Sequence, residues 1–491
     1  MSNERQLSDV SEDVYPLYPF DNEKTNRCFV SWPMLFNDVL DPELLNNALS
    51  RLLGMKEWCK LGGRLRLKTN GGLEVYVQHY SVDQSRTFFT HQNFDMVIQN
   101  HPIACHWPMQ TNSSSPQSIS DSDDFKSFVT RHKFPTFEQM VQQSLPMISL
   151  HISSFQDATI VSLVWPHALM DAFGGQALLS AWSLVLNSQE ENLYPVYGAK
   201  NDLLRDAIFS NPESHEELKL EKRRLSGMGL YMFLLRHIWN SIWGASRQRR
   251  LICLSKDTLK EIKRRAQEEI SESQDHNPNT YQHISSGDAL TAWISQTVAL
   301  SEPTIRPITI LSLLNVRFRL PQFINSTGVF LQNLTLGTFS FISSSEVKGT
   351  IGSIALSHRQ HFTEQATAEQ VSAFLRSGYK ALDAGQTPGV LFGESDALPI
   401  IFNNMEKAEL IKTVDFSAAV KDQGDFSEDR MNPVGSMVNY YYENVGQPYK
   451  GFNLFTMLGQ DHAGNHWLEG TLLPRAWTKI EEELKKIEES P

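Results

Sequence analysis

The sequence predicts a soluble protein of mixed α/β class with two domains. Three observations point there. The chain has 491 residues, too many for one ordinary hydrophobic core. Stretches that alternate with a period of two trade places with stretches of helical spacing in both halves of the chain. Hydrophobic residues make up 41% and charged residues 20%, the balance of a globular protein.

In chain order, residues 1–15 are polar and acidic; they are expected to be loosely attached and show no signal peptide. Phe29 to Phe36 reads as a first strand. Asp41-Pro42-Glu43 starts a helix: an N-cap acceptor, proline at the first helical position and an early acid. Leu44, Leu45, Ala48, Leu49, Leu52 and Leu53 give that helix its apolar face. Leu61-Gly62-Gly63-Arg64-Leu65-Arg66-Leu67 is a turn feeding a strand. Leu73 to Val77 is its partner, with Asn70-Gly71 as the hairpin turn. Residues 107–125, rich in Ser, Asp, Asn and Gln, read as a surface loop.

The centre of the first half is a second hairpin, Met147 to Phe155 and Thr159 to Trp165, around the polar turn Gln156-Asp157-Ala158. It ends at Pro166, so His167 sits at a strand terminus. Ala177, Leu178, Ala181, Trp182 and Val185 then recur with helical spacing. His167 is therefore presented in a strand-to-helix connection, where a rigid scaffold can hold a reactive group. Histidine takes and returns a proton near neutral pH, with an unperturbed pKa of about 6.5. Asp171, four residues on, either orients the ring or fixes the loop that carries it. Gly174 and Gly175 permit tight turns and close backbone packing.

Residues 187–250 break the pattern. Asn211 to Arg224 is charged; Gly227 to Gly244 is apolar and aromatic, with Tyr231, Phe233, Trp239 and Trp243. We read this as a helix that packs against both halves where the chain crosses over. The alternative is a helix lying on a membrane or lining a substrate entrance. Arg236, His237 and Asn240 interrupt a stretch already too short to span a bilayer.

In the second half, Arg250 to Leu254 reads as a strand, Lys256 to Gln267 as a helix and 268–283 as a polar loop. A helix capped by Ser285 runs to about Leu300. Ile308 to Phe318 is a strand, Thr363 to Leu382 a helix and Pro399 to Asn404 a strand. Residues 421–432 are a polar loop. Tyr440 to Tyr442, Phe452 to Leu458 and His466 to Leu472 are strands. Trp477, Ile480, Leu484 and Ile487 mark a closing helix.

Composition narrows the function. A net charge of −12 argues against nucleic acid as the main partner, though not against a small anion in a locally basic pocket. Cys28, Cys59, Cys105 and Cys253 are far apart, which suits a reducing compartment rather than disulfides or zinc. His101, Cys105 and His106 lie close together, but beside proline in a loop, so no metal site is expected. The glycosylation-type triplets at Asn112, Asn325 and Asn333 read as chance without a secretory signal.

Five segments stand in a fixed order: Leu61-Gly62-Gly63-Arg64-Leu65, His167 with Asp171, Asn315-Val316-Arg317-Phe318-Arg319-Leu320, the Asn333 segment and Asp415-Phe416-Ser417. Over nearly the whole chain this order resembles the BAHD acyltransferase family, most of all its fungal secondary-metabolite branch. The resemblance implies a monomer of two chloramphenicol-acetyltransferase-like domains with a substrate tunnel between them. Residues 1–190 would form the first, joined by a segment near 412–430; 191–250 would be the crossover and 251–491 the second.

It further implies that His167 is the general base and acyl-CoA a co-substrate, with no resident cofactor and no metal. The acceptor would be a hydroxyl, less favourably an amine, of a hydrophobic small molecule, and the location cytoplasmic. Asp171 becomes structural, paired with Arg317; Gly174 and Asp415 are structural, and Asn333 touches substrate. The family's Asp-Phe-Gly-Trp-Gly segment is degraded here: Asp415 and Phe416 match, whereas Ser417, Ala418 and Ala419 replace Gly-Trp-Gly. Two alternatives keep the fold: a CoA-independent cyclase or eliminase using His167, and a catalytically silent binding protein.

Overall fold

The computed structural model describes residues 12–78, 85–111, 113–118, 123–130, 134–210, 216–273, 283–386, 388, 391–445 and 451–489. Two large sheets carry the chain, and each takes strand from the other's half of the sequence. The first sheet orders Asn439–Tyr440, Phe29–Phe36, Thr159–Pro166, Ile148–Ser154 and Thr87–Asn93, with Glu443–Val445 also on Phe29–Phe36. The second orders Thr335–Ile342, Ile308–Asn315, Leu398–Asn404, Asn453–Gln460, His466–Leu472, Gln248–Leu254 and Gln117–Ser118. A further pairing joins Val420–Gln423 to Asp38–Leu40.

The central strands of the first sheet are buried at every position, Phe29–Phe36 and Thr159–Pro166 alike. The alternation read along Thr159 to Trp165 therefore does not divide that strand into an inner and a solvent face. Trp32 and Trp165 meet edge to face at 4.7 Å in this core. Helix Ala172–Leu186 covers it, with Leu178, Leu179, Trp182 and Val185 fully buried. The second sheet has its own core, in which helix Ser286–Leu300 is buried at nearly every position. The fold is the two-domain chloramphenicol-acetyltransferase type.

Several local expectations change. Residues 12–16 are a strand on Leu73–Gln78 rather than loose chain, because Tyr15 and Leu17 join the core; residues 1–11 lie outside the described residues. Leu44 is exposed and leaves the helix's apolar face. The 107–125 stretch is anchored: Trp107 and Phe125 are buried, and Gln117–Ser118 pairs with Gln248–Leu254. Asn112 lies outside the described residues. The helix from Lys256 continues to Ser273, and the rest of that expected loop, 274–282, is outside them too. The strand from Ile308 stops at Asn315. The helix expected over 363–382 is two, Ile351–Gln365 and Ala368–Asp383, broken where Thr367 caps the second by accepting from Gln370 N–H.

The largest change is at the crossover. Helix Gly227–Trp243 forms, but it does not bury its apolar side between the two halves. Met228, Tyr231, Leu235, Ile238 and Trp239 face outward. Arg236 and Phe233 face the protein instead, with Arg236 donating to the Ser395 carbonyl at 2.6 Å.

Candidate active site

His167 follows Pro166, the last residue of the hairpin's second strand. Its N–H donates to the Cys28 carbonyl at 2.8 Å, which ties the connection to the start of the neighbouring strand. The ring is deep in the protein yet keeps some surface open to solvent. Nδ1 is sealed off and makes no hydrogen bond among the described residues. Burial lowers the pKa of His167; its own carbonyl, the charge of Asp171 and the Asn333 side chain oppose that shift. Burial thus favours the neutral form of the ring, the form a base needs.

Asp171 is the N-cap of helix Ala172–Leu186. Its Oδ1 accepts from the N–H groups of Phe173 and Gly174 at 3.1 and 3.0 Å. Its Oδ2 accepts from Arg317 Nη1 at 2.8 Å, from Leu334 N–H at 2.9 Å and from Thr335 Oγ1 at 3.4 Å. Of the two roles left open for Asp171, the geometry displays the fixing of the loop. Arg317 arrives from the second sheet, because Asn315 Oδ1 accepts from Arg317 N–H at 2.9 Å and turns the chain out of its strand. Arg317 Nη2 also donates to the carbonyls of Phe330 and Gln332 at 2.6 and 2.9 Å. One buried ion pair thus joins the two halves beside His167.

Gly174 and Gly175 lie in the first turn of the helix, not in a turn before it. Both are places of close approach. A Cβ on Gly174 would sit 2.5 Å from the Leu331 carbonyl oxygen, and one on Gly175 2.6 Å from the Trp32 ring.

Asn333 is anchored through its amide nitrogen. Nδ2 donates to the His167 carbonyl at 3.0 Å and to Asp21 Oδ1 at 2.9 Å, so both amide hydrogens are committed within the protein rather than offered to substrate. Asp21 also accepts from Asn333 N–H at 2.8 Å and Tyr18 N–H at 3.2 Å. Sequence reading missed Asp21. Burial raises its pKa to about 6, while the Lys60 charge and the Asn333 and Tyr18 hydrogen bonds pull it down. Lys60 is itself buried, and burial lowers its pKa while Asp21 raises it. The available signal was a charged residue inside an apolar run, Leu17-Tyr18-Pro19-Phe20-Asp21 and Trp58-Cys59-Lys60-Leu61. Buried charges need partners, and the partner is never visible locally.

Asp415 is not at the His167 end. Its N–H donates to Ser183 Oγ at 3.0 Å and its carbonyl accepts from Asn187 Nδ2 at 3.1 Å, at the opposite end of helix Ala172–Leu186. His101 Nδ1 accepts from the N–H groups of Ile103 and Ala104, and the ring stands edge-on to Phe94 at 4.6 Å. Its ring thus has a structural use. Cys105 and His106 line a separate cavity of about 770 Å³ with Trp107, Met109 and Phe125.

No family model matches the chain. It is 30% identical to the O-acetyltransferase PaAT-2 of Phomopsis amygdali over 487 residues, covering 96% of this chain and 98% of that protein. It is 28% identical to a Penicillium decumbens protein named transcriptional regulator calD, covering 97% of this chain and 96% of that one. The fold is similar to that of F. sporotrichioides TRI101 complexed with Coenzyme A and T-2. The TM-score is 0.65 at 12% identity, over 96% of this chain and 98% of that chain.

Proposed function

The chain belongs to the fungal branch of the BAHD acyltransferase family, and from that premise we propose that it moves an acyl group from acyl-CoA to a hydroxyl of a hydrophobic small molecule, with His167 as general base. The observation that carries this reading is one partly buried imidazole at a strand terminus whose backbone is held on both sides, by Cys28 and by Asn333.

The chemistry needs no covalent acyl-enzyme. With Nδ1 sealed, Nε2 is the nitrogen that faces the acceptor. It takes the hydroxyl proton as the oxygen attacks the thioester carbonyl. The C–S bond then breaks, and the imidazolium returns the proton to the departing sulfur. Such proton transfer is worth about 10²–10⁴ in rate. Holding both substrates at the ring supplies a larger share. Asp171 and Arg317 act through the loop, not on substrate. The chain works as a monomer in the cytoplasm in this reading, with acyl-CoA a co-substrate rather than a resident group.

The test is release of free CoA thiol from acetyl-CoA, malonyl-CoA and longer acyl-CoAs with a panel of hydroxylated apolar acceptors. Thermal stability with each CoA ester is measured in parallel. A ligand at 100 times its dissociation constant stabilises by about 2.7 kcal/mol. Turnover that collapses in His167→Ala supports the reading. Turnover within threefold of wild type in that variant ends it. The relative named as a transcriptional regulator favours a second reading, a catalytically silent binding protein. That reading predicts no thiol release with any acceptor.

A further inference from the structure

Helix Gly227–Trp243 is turned inside out. An ordinary surface helix buries its apolar stripe and shows its polar face to water. Here Met228, Tyr231, Leu235, Ile238 and Trp239 fall on one stripe, at the three-, four- and seven-residue spacings of a helix face. Each is more than half exposed, from Ile238 at 52% to Met228 at 75%. The opposite face mixes Arg236, His237 and Asn240 with the buried Phe233. The His237 ring stacks on Phe452 at 4.4 Å. Arg236 joins Arg247, Arg306 and Asn240 around a small cavity between the helix and the second sheet.

Charge is concentrated in the same place. Residues 219–250 hold eight basic residues and one acidic residue, Glu221, in a chain whose net charge is −12. Part of that excess is answered locally. Arg224 pairs with Glu221, Lys219 with Glu364, Arg249 with Glu469 and Arg250 with Glu481; Arg306 lies 3.9 Å from Glu302 and also donates to the Asp396 carbonyl. Lys222 and Arg223, one turn before the helix, are exposed, with Arg223 over the Phe341 ring. Lys222 and Arg223 thus give the exposed aromatic and aliphatic stripe a basic flank at the N-terminal end of the helix.

We propose that helix Gly227–Trp243 docks on an anionic phospholipid surface, lying in the plane of the headgroups with its outer stripe inserted. Among the described residues no helix is long and apolar enough to cross a bilayer, so the contact is with one leaflet. Tyr231 and Trp239 are the side-chain types that settle at the membrane–water boundary, and the basic flanks match anionic headgroups. The proposal is independent of the acyl-transfer reading.

The test is co-sedimentation of the full chain with phosphatidylcholine vesicles and with vesicles containing phosphatidylserine. Binding should appear with phosphatidylserine and weaken as salt rises. Leu235→Glu with Trp239→Glu should lower partitioning on the order of tenfold or more. Both positions are exposed, so the thermal midpoint should hold and separate lost binding from lost folding. Absence of binding to either vesicle overturns the proposal, and so does equal binding to both. Concentration-dependent dimerisation of the wild type, abolished by the same substitutions, also overturns it, because the stripe then meets a second copy.

Discussion

The two ends of helix Ala172–Leu186 are each closed by an aspartate, and the two aspartates work differently. At the N-terminal end Asp171 is buried and accepts from three backbone N–H groups and from Arg317. At the C-terminal end Asp415 is exposed, and its Oδ1 accepts from Ser417 N–H at 3.0 Å. Burial there falls to its neighbour. Phe416 is fully buried, stacked 5.4 Å from Phe36 and tilted against Trp182 at 4.6 Å. The first end is held by charge in a low-dielectric place, the second by apolar packing. This explains how the second segment keeps its position without Gly-Trp-Gly. The close approach is made by Gly435, whose φ is +78° and where a Cβ would sit 2.4 Å from Ser417 Cα.

Substitutions sharpen that contrast, starting with the strongest. Arg317→Met leaves Asp171 charged and buried without its ion-pair partner, and should cost about 3–5 kcal/mol in urea unfolding. Phe416→Ala should cost a similar 3–5 kcal/mol, by cavity formation alone. The two differ in what relieves them: Asp171→Asn, which removes the stranded charge, should recover much of the Arg317→Met cost and none of the Phe416→Ala cost. An equal effect of Asp171→Asn on both would break the comparison.

Gly174→Ala tests the crowding at the first end. In an open helix the change is worth up to about 1 kcal/mol in favour of alanine. Against the Leu331 carbonyl it should instead cost about 1–3 kcal/mol, read from the unfolding midpoint. Asn333→Ala removes the donor to both Asp21 and the His167 carbonyl, and should cost about 1–3 kcal/mol while lowering kcat more than it raises KM. Burial lowers the His167 pKa, so kcat/KM should hold down to below about pH 6.5 and fall only as the ring protonates. Asn333→Ala should move that acid limb. Asp415→Ala should leave the limb in place and change stability by no more than about 0.5 kcal/mol.

Legibility followed distance along the chain. The hairpin, the strand-terminal position of His167 and the helix after it were readable, because each rests on neighbours within a few residues. The Asp171–Arg317 pair was reachable only through the family resemblance, since 146 residues separate its members. For Gly174 and Gly175 the sequence allows either a tight turn or close packing; the helix begins before them, and the close neighbours, Leu331 and Trp32, are remote in sequence. Nothing local to Asn333 shows that Asp21, 312 residues away, takes one of its amide hydrogens.

By itself, then, the sequence determined the mixed α/β class, the hairpin that ends at His167 and the apolar, aromatic character of the crossover helix. These depend on backbone hydrogen bonding and side-chain spacing over a few turns. The tertiary structure alone decided which of those apolar faces met a core. It turned the crossover helix outward, sent residues 117–118 and 439–445 into each other's sheets, and set Asp21 beneath Asn333. The reason is physical: a local pattern specifies that a face is apolar or that a charge needs a partner, and only the packing of distant segments specifies what that partner is.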